Sequence, residues 1–346
     1  MIEKLALILT DGIGARRYRK LINKFKNVEN IMKAKTSELL EIIPESLVPK
    51  IRNLDFKRAE EEVKKAEKLN VKILILGDEN FPEELEKFEF TTPILYAWGN
   101  LKLLKKLKFA IVGTRKPTEY GKNLAYKFSN ILSQKLVIIS GGAIGIDTYA
   151  HLGSIPNTIV VLGSGINVLH PKSNEKLFKR IYNEGGLIIS QFPLDFQPSK
   201  ETFPIRNLTI SALSIGVLLI EGSEDSGALI TAKYAFELNK EVFTIPNRVD
   251  IPQARGPIKL LKQNIAQIVE SPEDILNEFK LGTINKNLNN IELDDFEKLV
   301  YEKIVGRVSF DELLEIFKDY SKLITTLTSL ELKGLIKQIG GFYERV

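Results

Sequence analysis

The chain has 346 residues, 44% of them hydrophobic, and a formal net charge of +5 at pH 7. It contains no cysteine and only two histidines, His151 and His170, which excludes disulfides, thiolate nucleophiles and multi-histidine zinc sites. No apolar run reaches the roughly 18 residues of a membrane span, and the first residues lack the layout of a signal peptide. We therefore expect a cytoplasmic protein with no membrane partner.

Residues 1–60 place apolar side chains at helical spacing, which predicts a small helical module of the SAM or helix-hairpin-helix type. Its Gly12-Ile13-Gly14 turn is typical of a hairpin whose amides hold a phosphate backbone, although a plain structural turn fits equally well. Basic residues follow this turn at Arg16, Arg17, Arg19 and Lys20. A helix from Phe56 to Leu69 and a strand from Val71 to Leu76 come next, and the stretch from Pro82 to Trp98 is predicted to be irregular.

Residues 61–280 form the predicted core, in which short apolar runs alternate with amphipathic segments from Lys108 onward. The predicted strands are Phe109 to Val112, Leu136 to Ser140, Thr158 to Leu162, Leu187 to Ser190, Val217 to Ile220, Glu241 to Ile245 and Ala266 to Val269. Helix candidates begin near Tyr120, Asp147, Ser173, Pro204, Ser226 and Gly256. This alternation implies right-handed βαβ crossovers and predicts an α/β fold with a Rossmann-like, doubly wound, mostly parallel sheet.

Residues 281–293 are rich in asparagine and predict a linker to a domain formed by residues 294–346. Three helix candidates and a hairpin that turns at Gly340-Gly341 indicate a winged-helix-like domain. Its candidate recognition helix, Ser321 to Leu332, carries one lysine, whereas helices that read the major groove are normally basic. We interpret this domain as a protein-interaction or dimerisation module.

Residues that follow the core strands are the informative ones, because open parallel sheets bind ligands beyond the carboxyl ends of their strands. The first core strand is followed by Gly113, Thr114, Arg115 and Lys116, which offer close backbone approach and a bidentate phosphate fork. The second is followed by Ser140 to Asp147, in which Gly141 and Gly142 predict an anion nest. Such glycines also occur where a turn is merely tight.

Later strand ends repeat this small and basic chemistry. The further candidates are Lys172, Phe203, Arg206, Asn207, Ser226 and Thr231. Their convergence on one edge of the sheet predicts a phosphate-rich ligand. No acidic residue closes a following strand to hold a ribose, and there is no P-loop sequence, so NAD and P-loop ATP chemistry are not expected. Asp147 is a candidate general base or helix cap, and His151 is expected to pack or bond locally. We expect no cofactor, no metal and no catalytic residue.

In order and spacing these motifs resemble the DprA/Smf family. The matching segments are Gly113-Thr114-Arg115, Ser140 to Asp147, Ala150-His151, Phe203 to Asn207 and Ser226 to Ala232. The resemblance implies sequence-independent binding of single-stranded DNA, loading of the RecA recombinase, a role in natural transformation, and a homodimer through the Rossmann core. It also implies that Arg115, Lys172, Arg206 and Asn207 contact DNA phosphates or bases.

Three positions depart from the family pattern. Ile144 and Leu208 stand where the family usually has arginines, and Asn247 stands where glycine is common. Two fewer cations would weaken phosphate binding and flatten its dependence on salt.

Two alternatives stay open at this point. The first is a Rossmann enzyme of the nucleotide phosphoribohydrolase type, although its Pro-Gly-Gly-x-Gly-Thr segment is replaced here by Glu221 to Gly227. The second is a nucleotide-sensing regulator that acts on duplex DNA through the winged helix.

Overall fold

The computed structural model describes residues 1–282, 294–332 and 335–345. The chain forms two compact units, residues 1–284 and 285–346. The predicted linker lies outside the described residues from residue 283 onward, and the predicted domain boundaries stay predictions. Among the described helices, none is long and apolar enough to cross a membrane.

The first unit begins with six helices. They are α1 (Ile2–Ile8), α2 (Ala15–Phe25), α3 (Val28–Lys33), α4 (Thr36–Leu40), α5 (Val48–Arg52) and α6 (Phe56–Lys68). Side-chain caps fix two of the starts, since Asn27 accepts from the Asn30 amide and Asp55 from the Arg58 amide. Their buried leucines and isoleucines share one hydrophobic cluster with strand residues of the sheet, including Tyr96.

Nine strands of the first unit form one sheet. They are β1 (Lys72–Ile75), β2 (Ile94–Gly99), β3 (Lys108–Val112), β4 (Val137–Ser140), β5 (Thr158–Leu162), β6 (Leu187–Ser190), β7 (Gly216–Leu219), β8 (Glu241–Thr244) and β9 (Gln267–Ile268). Their order is β1-β2-β6-β5-β4-β3-β7-β8-β9. The pairs from β6 to β9 are parallel, whereas β2 pairs antiparallel with β1 and β6. The mostly parallel α/β fold is thereby confirmed.

Helices cover both faces of this sheet. They are α7 (Glu83–Glu86), α8 (Glu119–Leu132), α9 (Ile146–Ser154), α10 (Glu175–Asn183), α11 (Thr202–Leu213), α12 (Ala228–Glu237), α13 (Arg255–Lys262) and α14 (Pro272–Glu278). Side chains of α8, α9 and α14 pack in one buried cluster, and those of α11, α12 and α13 pack in another. The prediction that Pro82 to Trp98 is irregular is wrong, because this stretch contains α7 and all but the last residue of β2, which pairs with β6.

The second unit contains α15 (Asp295–Lys303), β10 (Val308–Ser309), α16 (Phe310–Phe317), α17 (Tyr320–Leu332), β11 (Ile336–Ile339) and β12 (Phe342–Arg345). β12 pairs antiparallel with both β10 and β11. The helices and the hairpin match the predicted elements, and β10 adds a short strand that the sequence pattern missed. The winged-helix interpretation stays a prediction.

Candidate functional site

A cleft of about 400 Å³ opens between the carboxyl ends of β3 and β7. β3 is flanked by β4 on one side and by β7 on the other, so the strand order reverses direction at this point. Open α/β sheets bind ligands at such a switch point. Nine of the predicted site residues line the cleft, namely Gly113, Thr114, Arg115, Lys116, Phe203, Arg206, Asn207, Ser226 and Thr231.

The turn after β3, residues 113–116, is held by the chain segments that follow β7 and β8. The Thr114 amide donates to the Glu221 carbonyl oxygen at 2.7 Å, and Gln253 Nε2 donates to the Lys116 carbonyl oxygen at 3.3 Å. A Cβ atom at Gly113 would lie 2.6 Å from Ile146 Cγ1, so only glycine fits there. The side chains of Arg115 and Lys116 are exposed at the cleft.

Glu221 is a structural residue whose role the sequence analysis missed. Its side chain is fully buried and accepts hydrogen bonds from the Thr118 amide at 2.9 Å and from Asn247 Nδ2 at 3.2 Å. Thr118 is the N-cap of α8, so this carboxylate lies at the positive end of the helix dipole. The only sequence signal was an acidic residue directly after a buried strand.

The anion nest predicted at Gly141 and Gly142 is occupied by the protein itself. Asp147 Oδ2 accepts hydrogen bonds from the Gly141 amide at 3.1 Å and the Ala143 amide at 3.3 Å. Burial raises the pKa of Asp147 above its usual value, and the nearby Arg206 charge offsets part of this rise. These two amides are therefore not free to bind a phosphate, which corrects the prediction of a nest and assigns Asp147 a local bonding role.

Arg206 is buried beneath the cleft. Its Nη1 donates to the carbonyl oxygens of Gly141 and, at 2.7 Å, of Val161, and its Nε donates to Asn207 Oδ1 at 3.1 Å. Burial lowers its pKa to about 10. Asn207 is committed as well, because its Nδ2 donates to the Gly227 carbonyl oxygen at 3.2 Å. Arg206 thereby joins the ends of β4 and β5, and Asn207 joins α11 to the start of α12.

Arg115 is placed differently from Arg206. Its guanidinium lies 5.4 Å from the centre of the Phe203 ring, and that of Arg206 lies 6.0 Å from the same ring. Burial lowers the pKa of His170 beside Phe203, and the charges of Arg115 and Arg206 lower it further. The cleft therefore combines an exposed arginine and lysine with an aromatic ring, which suits a ligand with phosphates and bases.

The remaining candidates are less central. Thr231 is 1% exposed at the wall of the cleft, and Ser226 precedes α12 there. Gly142 is buried, with φ +66°, and its carbonyl oxygen accepts from Asn174 Nδ2 at 2.9 Å. Lys172 is exposed and does not line the cleft.

His151 bonds locally, as expected. It is fully buried, and its Nδ1 lies 2.8 Å from Thr158 Oγ1. The Thr158 hydroxyl itself donates to the Ile138 carbonyl oxygen at 3.0 Å, so Nδ1 of His151 is the donor. Burial lowers the pKa of His151 to about 3, which keeps the ring neutral.

The turn at Gly12 in the N-terminal module carries fewer free cations than the sequence suggested. Arg19 is buried and donates from Nη2 to the Leu85 carbonyl oxygen at 2.7 Å, and Arg17 Nη1 donates to the Gly12 carbonyl oxygen at 2.7 Å. Arg19 therefore joins α2 to the segment before β2. It is not available to a phosphate backbone, which corrects that part of the prediction.

Comparison with known proteins identifies the region of the chain that contains the cleft. Residues 72–280 match the family model described as DNA recombination-mediator protein A. The chain is similar to Protein Smf of Synechocystis, with 35% identity over 287 residues that cover 79% of this chain and 71% of that protein.

Solved structures agree with this match. The X-ray structure of DNA processing protein A from Streptococcus pneumoniae superposes with a TM-score of 0.71 at 29% identity, covering 80% of this chain and 98% of that one. A structure of DNA processing protein A from Helicobacter pylori, described as giving insight into its single-stranded DNA binding mode, has a TM-score of 0.57 at 31% identity and covers 61% of this chain and 96% of that one.

Proposed function

Because this chain belongs to the DNA recombination-mediator protein A family, also called DprA/Smf, we propose that it binds single-stranded DNA in the cleft between β3 and β7. The observation that carries the proposal is the exposed Arg115 beside the Phe203 ring at the switch point of the sheet. A guanidinium binds phosphate oxygens bidentately, and an aromatic ring stacks on any base. A similar protein from Helicobacter pylori is described by its single-stranded DNA binding mode.

Binding without sequence preference follows from the kind of groups at the cleft. Charged side chains read the phosphate backbone, and ring stacking is tolerant of base identity. Arg206 and Asn207 are engaged with protein groups, so in this proposal they support the cleft from below and Arg115 and Lys116 supply its charge. Lys172 would contact the DNA strand outside the cleft.

The protein acts in this proposal as a binding protein and not as an enzyme. Asp147, the candidate general base, and His151 are buried and hydrogen-bonded to the protein itself. A phosphoribohydrolase would place its glycine-rich segment after β7. Here that position is Glu221, whose side chain is buried and accepts a hydrogen bond from the Thr118 amide. Release of free base from AMP by the purified protein would favour the enzyme alternative.

The wider role that we propose is loading of RecA onto the bound strand during DNA uptake and recombination, by a homodimer formed through the Rossmann core. An open sheet edge supports the dimer. β9 is the last strand of the sheet within the described residues, and its Ile268 is 55% exposed. Light scattering after size-exclusion chromatography tests the dimer, and displacement of a single-strand-binding protein by RecA tests the loading.

The deciding experiment compares an oligothymidine with a duplex of equal length at two salt concentrations. We expect tighter binding to the single strand and a fall in affinity as salt rises, because bound phosphates release counterions. A preference for duplex DNA would instead favour a regulator that acts through the C-terminal domain. Absence of binding to the oligothymidine at low salt would reject the proposed function.

A further inference from the structure

The loop that follows β6, residues 191–197, is fixed by contacts with the N-terminal helices. The Leu194 amide donates to Glu62 Oε1 at 2.7 Å, and Asp195 forms an ion pair with Lys65 of the same helix, α6. The hydrogen bond from Lys65 lowers the pKa of Asp195. This loop is therefore anchored, and the acidic residue within it is neutralised by a cation.

Phe196 is the ring that this loop leaves exposed. Its amide donates to the Pro193 carbonyl oxygen at 3.0 Å, and its carbonyl oxygen accepts from the Gly165 amide at 2.9 Å. One face of the ring stacks on Phe192, with centroids 5.2 Å apart and planes 22° apart. Phe192 is 9% exposed and Phe196 is 43% exposed. The ring is thus supported from one side and open on the other.

Phe196 is connected to the Phe203 side of the cleft through the turn after β5. The turn after β5 contacts the Phe203 ring and the Phe196 backbone, because a Cβ atom at Gly163 would lie 2.9 Å from the Phe203 ring while the Gly165 amide donates to the Phe196 carbonyl oxygen. Two residues of chain span at most about 7 Å, so the points at which this turn meets Phe203 and the Phe196 backbone are no further apart than that. Lys200, a few residues further along, is exposed.

We propose that Phe196 is a second stacking platform, on which a base of the single-stranded DNA lies after the strand passes Phe203. The inference rests on the proposed function of the cleft and adds a subsite to it. An aromatic ring that the fold already holds in place loses little conformational entropy when a base stacks on it. The ion pair with Lys65 offsets the repulsion that the Asp195 carboxylate would exert on a phosphate.

The first test is Phe196→Ala, with Phe236→Ala as the matched control. Phe236 is 48% exposed and lies at the end of α12 that is far from the cleft. Fluorescence anisotropy with an oligothymidine of about 20 nucleotides should show a roughly 5- to 100-fold loss of affinity for Phe196→Ala. The control should bind as the unmodified protein does. On an abasic strand of the same length the two variants should bind equally.

The second test uses Phe196→Trp, which preserves the platform. The chain has a single tryptophan, Trp98, which stacks on Tyr182, so the new indole gives a distinct signal. Its fluorescence should be quenched when oligothymidine binds, whereas that of Phe236→Trp should not change. Comparable thermal unfolding of all variants shows that they are folded.

The outcomes separate the two proposals. If the unmodified protein binds oligothymidine, Arg115→Ala weakens binding and Phe196→Ala does not, the platform is rejected and the cleft remains. If the unmodified protein does not bind oligothymidine, the proposed function fails and the platform fails with it. Equal losses on the normal and the abasic strand would also reject the platform, because stacking requires a base.

Discussion

Arg206 and Asp147 hold opposite sides of the same glycine. The Arg206 guanidinium donates to the Gly141 carbonyl oxygen, and the Gly141 amide donates to the Asp147 carboxylate at 3.1 Å. Both side chains are buried, and each stabilises the charged form of the other. The glycine-rich turn after β4 is consequently an internal link between strands, and the exposed charge of the cleft comes from the turn after β3.

Arg206→Ala should reduce the free energy of unfolding by about 3 kcal/mol. The carbonyl oxygens of Gly141 and Val161 would lose a donor, and Asp147 would lose a neighbouring positive charge. Arg206→Lys should retain part of the stability. Urea unfolding measures both variants, and a loss below about 1 kcal/mol for the alanine variant would contradict the structural role of Arg206.

Arg115→Ala should reduce DNA binding and leave the free energy of unfolding unchanged. We expect oligothymidine binding to weaken by about 1 to 3 kcal/mol, the scale of a lost charged contact, with unfolding unchanged within about 0.5 kcal/mol. Arg180→Ala is the control, since Arg180 is exposed on α10 and pairs with Glu184. Unchanged affinity of the Arg115 variant, measured by anisotropy, would remove this residue from the site.

Gly141→Ala should destabilise the protein by about 2 kcal/mol, the range expected for overpacking of a filled interior. A Cβ atom there would collide with the Arg206 guanidinium, whereas a Cβ atom at Gly227 meets nothing within 4 Å. Gly227→Ala is therefore the control for stability, and its urea midpoint should match that of the unmodified protein. Similar midpoints for both variants would show that the turn after β4 adapts to the extra methyl group.

His151 predicts an acid-dependent loss of stability. Burial lowers its pKa from 6.5 to about 3, so between these values the unfolded chain binds a proton that the folded protein excludes. The contribution of neutral His151 to the free energy of unfolding is complete above pH 6.5 and declines as the pH falls towards about 3. Urea unfolding at steps between about pH 7 and pH 4 should show a shallower decline for His151→Gln. Parallel curves for the two proteins would be inconsistent with a buried neutral ring.

The parallel strands were predictable because a strand buried on both faces reads as a continuous apolar run. Thr158–Leu162 and Leu187–Ser190 match the predicted bounds. β2 was missed, because prolines precede it and because its place is set by antiparallel pairing with β6, a contact between distant parts of the chain.

The candidate site was predictable in its location but not in the orientation of its charges. A basic residue after a strand marks the ligand edge, yet the sequence does not say whether its side chain points outward, as in Arg115, or inward, as in Arg206. The glycines at 141 and 142 likewise do not reveal which group accepts hydrogen bonds from the amides of their turn. Asp147 becomes that acceptor only once α9 is packed.

The N-terminal helices and the sheet share one hydrophobic cluster, and Arg19 and Lys65 extend from these helices to the segments before β2 and after β6. Such an arrangement links the helices and the sheet into one cooperative unit, in which neither part can unfold without exposing the apolar surface of the other. Amide hydrogens of Leu21 and Val160 should therefore exchange with solvent at similar slow rates, through the same global opening. Removal of the helices, whether by evolution or by design, would expose an apolar surface of the sheet that is prone to association.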